Sequence, residues 1–104
     1  MLRHVVLMTW KRELGEDEAA RVRAALDDLG ARSPDVRAFS HGPDAGVRPG
    51  GADYALVADF DDADGWRAYS AHPAHDVVRD VMRDLVASQV VVQFEVAPDR
   101  EGAA

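Results

Sequence analysis

The stretch Tyr69-Ser70-Ala71-His72-Pro73-Ala74-His75 holds two of the chain's four histidines and one of its two tyrosines. An imidazole can take a proton from a bound molecule, and a nearby phenol can donate a hydrogen bond to the charge left behind. Apolar residues run at helical spacing on both sides, so the proline marks a break. Proline fits the first turn of a helix, where its missing N–H costs nothing, and clashes deeper inside one. One helix is therefore predicted to stop near Ala71 and another to begin near Pro73, which puts His75 in the first turn of the second. There the unpaired N–H groups disfavour imidazolium, whereas the adjacent Asp76 favours it. The same residues also suit a plain packing and capping role, with His72 starting the helix. His72 and His75 stand at i, i+3, and Asp76 or His4 would be the third ligand of a metal. That spacing is weak with Pro73 inside it, and no metal site is expected.

These side chains need elements to hold them. Residues 2–10 read as a strand, with Leu2, His4, Val6, Met8 and Trp10 on one face and Arg3, Val5, Leu7 and Thr9 on the other. His4 is the polar member of an apolar row, which suits a buried, hydrogen-bonded histidine as well as a pocket contact. After a turn from Lys11 to Gly15, the acidic run Glu16-Asp17-Glu18 suits the start of a helix. Its buried stripe is Val22, Ala25, Leu26 and Leu29, and Arg21, Arg23, Asp27 and Asp28 decorate the solvated side. Gly30 is read as its end, confirmed by Ser33-Pro34-Asp35.

A second strand is predicted over 36–41, with Phe39 and His41 on one face. Residues 42–51 form a Gly/Pro-rich loop, and 54–60 a third strand. A short helix over 63–71 places Trp66 and Tyr69 on one side. The next, over 73–87, buries Val77, Val78, Val81, Met82 and Leu85, and a last strand covers 89–96. This order is the βαββαβ pattern of an α+β, ferredoxin-like domain, a four-stranded antiparallel sheet with helices on one face. The strands are nevertheless apolar on both faces. A second copy packed sheet to sheet would cover the bare side, so a two-fold homodimer is expected.

Composition removes several classes of function. The chain has 104 residues and a formal net charge of −7, with a hydrophobic fraction of 47%. That describes one soluble domain and argues against nucleic acid and anionic membrane as partners. Without cysteine there is no disulfide, thiol nucleophile or thiolate metal site. The loop 42–51 lacks the Lys-Ser/Thr of a phosphate loop and opens no helix, so no nucleotide cofactor is expected. Neither a signal peptide nor a membrane span is read, and the default location is cytoplasmic.

Arg3-His4-Val5-Val6-Leu7, Tyr54-Ala55-Leu56-Val57 through Phe60, Tyr69-x-x-His72-Pro73-Ala74-His75 and Val91-Val92-Gln93-Phe94-Glu95 together resemble the stress-responsive A/B barrel (dimeric α/β barrel) domain family, over roughly residues 1–97. The resemblance implies a ferredoxin-like protomer and a dimer whose two sheets form a barrel, while the polar and small residues 98–104 read as a short disordered tail. Its motif resembles that of olivetolic acid cyclase-like members, whose catalytic histidine and tyrosine fall on His75 and Tyr69. A pocket histidine of their first strand falls on His4. By that resemblance His75 is the base that takes a proton α to a carbonyl, and Tyr69 hydrogen-bonds the enolate oxygen. The first helix departs from those members, offering Ala, Val and Leu where they bring aromatic residues to the pocket.

The expected site is thus an apolar pocket between sheet and helices, with His75 and Tyr69 as the catalytic pair. His4, Val6, Met8, Trp66, Val78 and Met82 are its ligand-binding residues, and the ligand is a small, largely apolar organic molecule. If it is an enzyme, the reaction is cofactor-free proton transfer, a cyclisation or isomerisation. The other readings are a stress-associated domain whose dimerisation is its whole role, and a cofactor-free monooxygenase on a similar barrel.

Overall fold

The computed structural model describes residues 1–97, and the expected tail lies outside them. The elements are β1 (Leu2–Trp10), α1 (Glu16–Arg32), β2 (Ala38–Pro43), β3 (Tyr54–Phe60), α2 (Ala63–Ala71), α3 (Pro73–Met82) and β4 (Val86–Glu95). The strands form one antiparallel sheet in the order β2-β3-β1-β4. This is the expected ferredoxin-like arrangement. Among the described residues no helix is long and apolar enough to cross a membrane.

The alternation in β1 sorts its side chains as the sequence predicts. His4 and Met8 are buried on the helix-covered face, while Leu7 and Thr9 point to the open face and are exposed. Pairing of Val6 with Leu56 and of Met8 with Tyr54 continues the inner face into β3, where Ala58 and Phe60 are fully buried. Val22, Ala25, Leu26 and Leu29 of α1 close over this layer. Glu18 helps to start α1: its Oε1 accepts from the Gly15 N–H at 2.9 Å while the carboxylate grips Arg12.

Four elements differ from expectation in their bounds, one of them β4, which runs Val86–Glu95 where 89–96 was expected. α1 runs through Gly30 to Arg32, because Gly30 is a packing notch and not a terminator. A Cβ there would meet the ring of Phe39, two of whose carbons lie 2.9 Å from its position. β2 begins two residues late and runs on to Pro43, since its ladder to β3 spans Ala38 opposite Asp59 to Pro43 opposite Tyr54. α3 stops at Met82, not Ala87, because Val86 is already drawn into the sheet opposite Trp10. Leu85 stays buried, but in the turn, where its carbonyl accepts from the Lys11 N–H at 2.8 Å.

Among the described residues no helix covers the other face of the sheet. Arg3 and Asp59 join there in a two-pronged ion pair at 2.8 and 2.9 Å. Beyond them Leu7, Val90, Val92 and Phe94 stay 41%, 64%, 52% and 45% exposed. The bare apolar face expected from the two-sided strands is present.

Candidate functional site

The junction of α2 and α3 is built locally. Asp62 caps α2, its Oδ1 accepting from the Gly65 N–H at 3.0 Å. His72 closes α2 and caps α3, its Nδ1 accepting from the Ala74 N–H at 3.0 Å, with Pro73 at the first helical position. The expected helix break and the expected part of His72 in starting α3 are both present. His75 follows in the first turn, held by its own N–H donating to the His72 carbonyl at 2.9 Å.

Tyr69, in the last turn of α2, is 1% exposed. Its ring meets His75 edge to face, with centroids 5.1 Å apart and planes at 83°, and packs on Phe60 at 5.0 Å. The Nδ1 of His75 is buried and has no hydrogen-bond partner among the described residues. Burial pushes the Tyr69 phenol up to about 12, with Arg79 pulling the other way. Burial, then the positive charge of Arg79, lowers the pKa of His75, against the residue's own backbone and Asp76, which raise it. At neutral pH the pair is therefore an uncharged imidazole beside a phenol that keeps its proton. The sequence assigned the depression of His75 to the helix terminus; desolvation and Arg79 carry it here.

Both rings line a cavity of about 160 Å³ between the sheet and the helices. Val6 and Met8 of β1 and Val78 and Met82 of α3 are on its wall, as expected. His4 and Trp66 are not among the lining residues. The centroid of His4 lies 5.9 Å from that of Trp66 and 6.1 Å from that of Tyr69. Its Nδ1 is 3.0 Å from Nε2 of Gln93, and burial lowers its pKa. The reading of His4 as a buried, hydrogen-bonded histidine describes this environment better than a pocket contact does.

Sequence reasoning missed Leu26, Leu56, Arg79 and Gln89, which complete the wall. Arg79 was findable, being four residues beyond His75 on one helix face. It binds Asp76 at 2.8 Å and the Ser70 carbonyl at 3.0 Å, tying α3 to α2 beside the cavity. Gln89 was already placed in the last strand, and what the sequence did not give is its register opposite Met8 on β1. Among the described residues no group of three or more His, Cys, Asp or Glu side chains could hold a metal ion.

A ferredoxin-like sheet with a histidine–tyrosine cavity under its helices defines a small α/β barrel protomer. The chain belongs to the stress responsive A/B barrel domain family, whose model matches residues 2–96. An uncharacterized protein of Streptomyces coelicolor is 33% identical over 98 residues, covering 91% of this chain and 99% of its own length. A dimeric ferredoxin-like protein of unknown function from Thermobifida fusca superimposes with a TM-score of 0.85 at 36% identity, covering 91% of this chain and 90% of that one. A dimeric protein of ferredoxin-like fold from Bacteroides fragilis reaches 0.78 at 23% identity over 91% of this chain and 95% of its own, a likeness of fold alone.

Proposed function

We propose that the protein is a cytoplasmic homodimer that binds a small, largely apolar organic molecule beneath α3 and moves a proton on it without a cofactor. The observation that carries this reading is the buried Nδ1 of His75, which has no partner among the described residues and belongs to a ring lining a largely apolar cavity beside Tyr69. An unpaired buried polar atom costs about 1–3 kcal/mol, so its persistence calls for a purpose such as a ligand. Neutral His75 is the base for a proton α to a carbonyl. Tyr69, still protonated, donates to the enolate oxygen, and Arg79 adds positive charge at the same wall. The bare face of the sheet supports the dimer, since a second copy would cover Leu7, Val90, Val92 and Phe94.

Size narrows the ligand. A cavity of about 160 Å³ is close to the ~150 Å³ that holds one benzene ring, and below the roughly 300–1,000 Å³ of pockets for larger ligands. A single-ring or short-chain carbonyl compound fits it; a long linear polyketide does not fit without the helices moving apart. The test is exchange of the α-protons of cyclohexanone in D2O, followed by NMR. The protein should accelerate exchange, His75→Ala should abolish the acceleration while leaving the dimer folded, and Tyr69→Phe should slow it about a hundredfold. Equal rates for wild type and His75→Ala would remove this mechanism.

A further inference from the structure

A larger cavity lies elsewhere. Between α1 and the β2–β3 hairpin is a cleft of about 540 Å³, lined by Trp10, Leu14, Val22, Arg23, Pro43 and Tyr54 among others. An adjoining hollow of about 460 Å³ shares Arg23, Pro43 and Tyr54 and adds Asp27 and His41. The first of these volumes is in the range of small-molecule sites, unlike that of the cavity beside His75.

Three side chains from three elements meet there. The hydroxyl of Tyr54 on β3 is 2.7 Å from Nδ1 of His41 on β2, whose Nε2 is 2.6 Å from Oδ1 of Asp27 on α1. The His41 side chain is 8% exposed and its ring stacks on Tyr54 at 26°. A carboxylate only accepts, so Nε2 of His41 carries a proton toward Asp27. In the neutral ring Nδ1 then accepts from the Tyr54 hydroxyl, which leaves the phenol oxygen with a free lone pair. The two bonds run in one direction and end on a negative charge, and such chains strengthen one another. What they lack is a donor at their open end.

We infer that this cleft is a second binding site, which takes a planar hydroxyaromatic molecule with its O–H donated to Tyr54. Trp10 and Tyr54, with centroids 5.8 Å apart, give an aromatic wall, and Leu14 and Val22 an apolar one. Arg23, four residues before Asp27 on α1, supplies a positive charge; its effect on Tyr54 opposes the burial that raises the pKa of that phenol. Glu13, Asp44 and Asp53 also face the cleft, as does Arg12, whose guanidinium is taken up by Glu18 at 2.7 Å. The carboxylates disfavour a carboxylate ligand and leave a neutral phenol as the better guest. His41 and Tyr54 lie opposite Leu56 and Pro43 on the helix-covered side, so the site stays open in a dimer formed through the bare face.

The test uses 4-nitrophenol, whose absorbance reports both binding and ionisation, on the intact protein. The two tryptophans locate the ligand: Trp10 lines this cleft, whereas Trp66 stands away from it, against His4. Saturable binding should move the Trp10 indole N–H signal and leave that of Trp66 in place. Tyr54→Phe should weaken binding about tenfold, the loss of one hydrogen bond. Asp27→Asn alters a side chain that is 67% exposed, so it keeps the fold, and it should weaken binding in the same direction. Absence of saturation at millimolar ligand, movement of Trp66 alone, or wild-type affinity in both variants would each overturn the assignment.

Discussion

Phe94→Ala is the sharpest test of what covers the bare face of the sheet. Phe94 is 45% exposed in the single protomer. A phenylalanine offers about 200 Å² of surface, so roughly 90 Å² is left for a partner to bury. At about 25 cal/mol per Å² this is worth about 2 kcal/mol. A two-fold interface contains the residue twice, which brings the loss to about 4 kcal/mol, or about a thousandfold in the dimer dissociation constant. That figure is an upper one, because truncation to alanine leaves part of the area in place. Within the protomer the change is mild, since much of the ring faces solvent already. Sedimentation velocity over a dilution series should show the variant dissociating at concentrations where the wild type stays dimeric, with unchanged circular dichroism. A variant that dimerises within threefold of wild type would refute the sheet-to-sheet arrangement.

Gly30→Ala should destabilise the protein although it sits within a helix. Helix propensity favours alanine by about 1 kcal/mol, but the new Cβ would press into the Phe39 ring, and overpacking costs about 1–3 kcal/mol. The expected net loss is about 1 kcal/mol, seen as a lower melting temperature and relieved by adding Phe39→Leu; a melting temperature above wild type would refute it. The buried histidines set a pH dependence. Burial lowers the pKa of both His4 and His75, so the unfolded chain binds more protons than the folded one below about pH 6.5. Stability should be full above that pH and fall as the pH drops toward the lowered folded values. Urea unfolding at pH 7.5 and 5.5 reads this, and His75→Gln should flatten the difference; an unchanged difference would exclude His75 as a contributor.

Much of this protein is written in local pattern. The stripe Val22, Ala25, Leu26, Leu29 told which side of α1 is buried, and the alternation of β1 placed His4, Val6 and Met8 beneath the helices. Pro73 located the break that sets His75 against Tyr69, because its ring forbids a helix interior whatever surrounds it. The two-sided apolar strands announced a bare sheet face before any coordinate was known. All of these follow from the period of a single element or the stereochemistry of one residue.

What escaped the sequence depends on neighbours distant along the chain. Gly30 looked like a terminator because glycine often ends helices; that it makes room for Phe39 is a fact about β2. The end of α3 was overrun because Val86 and Ala87 suit either state, and pairing of Val86 with Trp10 decides between them. His4 was grouped with the pocket until its hydrogen bond to Gln93, 89 positions away, set its place. Asp27 read as one more solvated carboxylate, yet the sheet register turns His41 and Tyr54 toward it. Periodicity states which side of an element is buried. Only the register between elements states which side chains meet there, and hydrogen bonds of 2.6 to 3.0 Å leave no latitude for guessing it.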